Sequence, residues 1–97
     1  MKVKAIFQEI RLICTKYQTI NQVWIFGSHA RGDATERSDI DLAVSGIPFR
    51  DPQWNQFLEA LDNIPTLRMI DCHNLEIAPE NFKQQIFKEG KILYERS

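Results

Sequence analysis

The chain has 97 residues, 43% of them hydrophobic and 26% charged, with a net charge near −1. Such a composition suits one compact globular domain spanning 1–97, long enough for a modest core and too short for two. The balanced charge gives no electrostatic case for DNA or RNA as a standing partner, two cysteines make no disulfide framework, and no apolar run reaches membrane-spanning length.

Helices and strands are expected to alternate along the chain with short connections. The N-terminal MKVKAIFQEI is amphipathic and lacks the long apolar run and cleavage site of a signal peptide, so the cytoplasm is the expected location. Val3, Ile6, Ile10, Ile13 and Tyr17 recur at helical spacing, flanked by Phe7 and Cys14, and predict an amphipathic helix over 3–18. Val23 to Phe26 is a short apolar run ending at Gly27 and reads as the first strand. Ile40 to Val44 reads as the second, stopped by Ser45-Gly46 and Pro48. Asp51 before Pro52 is an N-cap followed by proline at the first helical position, and Trp54, Phe57, Leu58 and Leu61 form the buried stripe of a helix ending before Pro65. Leu67 to Cys72 is the expected third strand. Pro79 opens another helix, with Phe82 and Ile86 on its apolar side and Gly90 as its stop. Ile92-Leu93-Tyr94 forms a last short strand or an extended tail. Cys14 and Cys72 are expected to stay reduced in the core, and Trp24 and Trp54 to be core or interface aromatics.

The fold class that follows is α/β (α+β), a small mixed β-sheet flanked by helices. The DATER stretch between Gly32 and Ser38 is too short for a parallel crossover, which makes the first two strands antiparallel.

The stretch VWIFGSHARGDATERSDIDLAV, from Val23 to Val44, carries the chemistry. Strand alternation turns Asp39 and Asp41 to one face while Ile40 and Leu42 turn into the core. Like charges so close on one pleat repel, and a bound divalent cation removes that objection. Carboxylate pairs suit Mg²⁺, which binds through one or two carboxylates plus substrate phosphates. The chain can break at Gly27, offer the Ser28 hydroxyl and begin a short helix through His29, Ala30 and Arg31, whose free N–H groups favour phosphate. Asp71 is a lone acid near the exit of an otherwise apolar third strand. If that strand lies beside the second, Asp71 joins Asp39 and Asp41, with Ile70 and Cys72 facing the opposite layer. His29 and His73 lack a histidine–cysteine ligand spacing and read as surface polar residues.

Gly27-Ser28, Ala30-Arg31-Gly32 and Ser38-Asp39-Ile40-Asp41-Leu42 together resemble the signature of the polymerase-beta-like nucleotidyltransferase superfamily. More narrowly, the chain resembles its minimal nucleotidyltransferases, the small MNT-type antitoxins paired with HEPN-domain proteins. The resemblance implies the polymerase-beta-like fold. It also implies a catalytic and metal-binding set of Asp39, Asp41 and Asp71 around two Mg²⁺ ions, and a nucleotide-binding set of Gly27, Ser28 and Arg31. The implied reaction is in-line attack on the α-phosphorus of ATP with loss of pyrophosphate.

The chain spends its length on such a core, so its acceptor is expected to be held by another polypeptide or by a homodimer. The resemblance makes that polypeptide a HEPN-domain toxin and the reaction transfer of AMP to a hydroxyl, a tyrosine in the family, within a hetero-oligomer. Two other readings stand beside it: an antitoxin that neutralises its toxin by binding alone, and a small-molecule nucleotidyltransferase. Labelled-AMP incorporation separates the first from catalysis, and a substrate screen tests the second.

Overall fold

The computed structural model describes residues 1–96. Helix α1 (Val3–Cys14) leads into strand β1 (Gln22–Phe26), the one-turn helix α2 (Ser28–Arg31) and strand β2 (Ile40–Ser45). Helix α3 (Pro52–Asp62), strand β3 (Ile70–Asn74), helix α4 (Glu80–Glu89) and strand β4 (Lys91–Glu95) complete the chain. The four strands form one sheet in the order β3-β2-β1-β4. β1 runs antiparallel to both β2 and β4, whereas β2 and β3 are parallel, so the sheet is mixed as expected. The parallel pair is possible because α3 supplies the crossover.

Strand alternation divides the side chains between two layers. Val23 and Ile25 of β1 and Ile40, Leu42 and Val44 of β2 pack with Ile6 and Ile10 of α1 and with Trp54, Phe57 and Leu61 of α3. On the opposite face, Trp24, Phe26 and Ala43 meet Phe82 and Ile86 of α4. Asp41 and Asp71 lie on this second face, because their neighbours Ile40, Leu42, Ile70 and Cys72 all pack toward the first. The α3 entry is built as its sequence predicts: the Asp51 side chain accepts from the Gln53 amide at 2.9 Å, with Pro52 next to it.

The end of α1 and both ends of β3 differ from the expectations. α1 ends at Cys14 rather than 18, although Tyr17 still packs inward against Phe57 at 5.6 Å. The chain leaves the helix through turns at Lys16 and Tyr17, and the Arg96 guanidinium donates to the carbonyls of Cys14, Tyr17 and Ile20 along this exit. β3 begins three residues later than Leu67 and extends to Asn74. Leu67 and Met69 stay exposed, and the Thr66 hydroxyl accepts from the Arg68 amide to form a turn. Ile92-Leu93-Tyr94 belongs to a true edge strand. Gly90 does end α4, but in an extended conformation rather than a left-handed one. A Cβ there would lie 2.6 Å from the Ile86 carbonyl oxygen and 3.1 Å from that of Ile25, so close backbone approach is what selects glycine.

Cys14 is buried as expected, and loss of solvation pushes its thiol up to about 12. Cys72 is only half-buried, with its side chain turned toward the first layer.

Candidate active site

Register brings the carboxylates together. Phe26 of β1 stands opposite Asp41 of β2, and Asp41 stands opposite Asp71 of β3. The chain turns sharply after Phe26 at Gly27, whose φ of +74° and ψ of −149° fall in a region open essentially to glycine alone. This turn sets Gly27 directly against the Asp41 carboxylate, since a Cβ on Gly27 would lie 2.5 Å from Asp41 Oδ2. The first bonded amides of α2 are those of Ala30 and Arg31, both donating to the Gly27 carbonyl. The N–H groups of Ser28 and His29 therefore fall outside the helical ladder.

Asp39 sits one residue before β2 rather than within it, and is exposed. Its approach segment is anchored from β3's side of the sheet: Arg68 Nη1 donates to the carbonyls of Thr35 (3.1 Å) and Ser38 (3.3 Å). The Ser38 hydroxyl accepts from the Thr35 amide at 2.8 Å and tightens the same loop. Asp71 is the second residue of β3 rather than a residue near its exit, because the strand starts later than its apolar pattern suggests.

Electrostatics single out Asp41. Its carboxyl is pushed above the ordinary value of 3.8, first by loss of solvation and then by the negative charges of Asp71 and Asp39, while His73 and His29 pull it back. A carboxylate held half-buried among like charges fits a hard cation such as Mg²⁺. Among the described residues no group of three or more His, Cys, Asp or Glu side chains is placed to hold a metal ion together.

The two histidines expected to be plain surface residues are both part of this site. His73 Nε2 lies 3.3 Å from Asp71 Oδ2, and its ring packs against Phe26 (5.6 Å) and Phe82 (5.4 Å). His29 Nε2 lies 3.4 Å from the Ser38 carbonyl oxygen, with its ring edge-on to Phe7. The signal in the sequence was positional: His73 is two residues after Asp71, hence on the same strand face. Arg31 pairs with Asp33 at 3.4 Å and with none of the three acids. It also lines a hollow of about 190 Å³ with Phe26, Gly27, Phe82, Gln85 and Glu89, on the β1 side of Asp41. A larger apolar groove of about 440 Å³ lies on the other side, beyond β3, with His73 in its wall.

A mixed sheet with a Gly-Ser turn facing carboxylates on its two neighbouring strands is the framework of a nucleotidyl-transferring enzyme, and sequence comparison gives the same class. Residues 8–97 match the family described as polymerase beta, nucleotidyltransferase. The chain belongs to that family. A Methanocaldococcus jannaschii relative, provisionally named a protein adenylyltransferase, is 46% identical over 94% of this chain and 96% of its own length. Among solved structures, a toxin–antitoxin crystallised with AMP-PNP superposes with a TM-score of 0.70 at 25% identity, covering 94% of this chain and 74% of the other. A tri-AMPylated Shewanella oneidensis HEPN toxin in complex with its MNT antitoxin gives 0.64 at 22% identity, covering 96% and 72%, a likeness of fold.

Proposed function

We propose that this nucleotidyltransferase is a Mg²⁺-dependent protein adenylyltransferase that transfers AMP from ATP to a hydroxyl, a tyrosine, of a HEPN-domain toxin and so acts as its antitoxin. The observation that carries the chemistry is the alignment of Gly27, Asp41 and Asp71 across three adjacent elements. The relative named for protein adenylylation and the likeness to toxin–antitoxin complexes support the choice of acceptor.

In this reading Asp39, Asp41 and Asp71 hold the Mg²⁺ ions, which when bound neutralise phosphate charge and make the attacking hydroxyl more acidic. Gly27 lets the backbone approach the triphosphate without a side chain in the way, and the Ser28 hydroxyl and the free amides of Ser28 and His29 bind its oxygens. Arg31, on the β1 side, is placed to turn from Asp33 toward the nucleotide. Asp71, on the far side of Asp41, orients the acceptor hydroxyl and takes up its proton as oxygen attacks the α-phosphorus and pyrophosphate departs. Nucleotide and acceptor thus enter from opposite sides of Asp41.

The test is incorporation of labelled AMP into a HEPN-domain toxin co-purified with the chain, with and without the Asp39 and Asp41 carboxylates. Wild-type labelling that both variants lose is the expected result. Neutralisation of the toxin with no AMP incorporated would instead leave binding alone as the mechanism.

A further inference from the structure

We infer that His73 is the positioning residue for Asp71, fixing the orientation of that carboxylate on the side where the acceptor arrives. The role rests on the transfer reaction proposed above, but the structural relationship stands independently of it.

Asp71 needs such a partner. Its side chain is 57% exposed on an edge strand, and His73 is the one side chain in ion-pair or hydrogen-bond range of it among the described residues. A carboxylate left free to rotate in water spends little time in one geometry, and oriented reacting groups account for much of the rate of a group-transfer reaction. His73 is itself well held. Strand alternation puts it on the face of Asp71, its Nε2 stands 3.3 Å from Oδ2, and its ring packs against both Phe26 of β1 and Phe82 of α4. Those two rings also touch each other, at 5.5 Å between centroids, so the three form one aromatic cluster that holds one side of the imidazole. A neutral imidazole with its proton on Nε2 suffices to hold the carboxylate, so no change of charge on His73 is required.

Two variants separate the polar role from packing. His73→Phe keeps an aromatic ring against Phe26 and Phe82 but loses the nitrogen, whereas His73→Gln keeps a polar donor and loses the ring. His73→Phe should lower kcat for AMP transfer about 10–100-fold, the usual size of effect for a supporting partner of a site ligand, with Mg²⁺-ATP affinity and Tm unchanged. His73→Gln should recover part of that loss. Imidazole ¹⁵N signals of His73, recorded without nucleotide, should shift on Asp71→Ala. Transfer at the wild-type rate by His73→Phe, or His73 signals indifferent to Asp71→Ala, would overturn the inference. Equal losses in both variants accompanied by a lowered Tm would make His73 a packing residue and overturn it as well. If the wild type transfers no AMP to any acceptor, the proposed reaction falls, while the ¹⁵N shift still decides whether His73 holds Asp71.

Discussion

Gly27 and Asp41 are in contact across the turn that follows β1, with the carboxylate occupying the place a side chain on Gly27 would need. The positive φ and the contact act together. Gly27→Ala strains the backbone by about 1–3 kcal/mol and pushes its Cβ into Asp41 Oδ2. Loss of AMP transfer, with Tm lowered by several degrees, is the expected outcome. Gly27→Val should be worse on both counts, and Ser28→Ala should weaken nucleotide binding while leaving Tm unchanged. Normal ATP use by Gly27→Val would exclude this turn as the phosphate site.

The raised Asp41 carboxyl makes stability depend on pH in a definite direction. Unfolded, the group titrates at its ordinary 3.8, and folded it titrates higher. Between those two values the folded state holds more protons than the unfolded one, so stability falls as pH rises through that window and stays reduced above it. Asp41→Asn removes the penalty. Without Mg²⁺ the variant should therefore melt higher than wild type at pH 7, with the difference fading below 3.8. Adding Mg²⁺ should raise the wild-type Tm by mass action and leave an Asp39→Asn/Asp41→Asn double variant unmoved. A lower Tm for Asp41→Asn at pH 7 would mean that the carboxylate is structurally paired instead of repelled. Each single Asn variant should abolish transfer.

Arg68 offers a test at a distance from the reacting atoms. Its guanidinium fastens the carbonyls of Thr35 and Ser38, just before Asp39. Arg68→Ala should destabilise the fold by about 1 kcal/mol, the ordinary size of such hydrogen bonds. Displacing Asp39 by an ångström would cost on the order of 10² in rate. Hydrogen exchange at the amides of residues 35–39 should accelerate in parallel. Unchanged transfer alongside faster exchange would show that Asp39 tolerates a loose approach segment.

Much of this site was legible because it depends on period-two alternation and on one turn. Gly27-Ser28 ends a strand, and Asp41 faces away from Ile40 and Leu42, as the sequence pattern requires. The pairing of Asp71 with Asp41 hinged on which strand lay beside β2, a tertiary fact that the parallel register supplies. Apolar pattern misplaced β3 because Leu67 and Met69 alternate like strand residues yet remain at the surface. Asn74, a polar residue, is in contrast buried at the strand's end, with its amide donating to the Ile47 carbonyl at 2.9 Å. The exit of α1 is also held from the far terminus, by Arg96, which no local window contains. His73 was misread for a related reason: its partners Phe26 and Phe82 come from β1 and α4, and only folding assembles them.

Asp71→Asn is expected to separate nucleotide binding from transfer. Asp71 lies on β3, one strand further than Asp41 from the Gly27 turn, so the nucleotide side of the site survives its neutralisation. Asp71→Asn should bind Mg²⁺-ATP with affinity near that of wild type, because Asp39, Asp41, Gly27 and Ser28 remain in place. AMP transfer should fall by about 10²–10⁴, the range typical of losing a positioned proton acceptor. Association with the proposed HEPN-domain partner should persist, since Asn keeps the shape of the side chain and removes only one exposed charge. Calorimetric titration of ATP, co-purification with the partner and mass measurement of that partner read the three outcomes separately. Loss of ATP binding would make Asp71 a ground-state ligand of the nucleotide's metal. Transfer at full rate would remove it from the mechanism and leave Asp39 and Asp41 as the only acids the reaction needs.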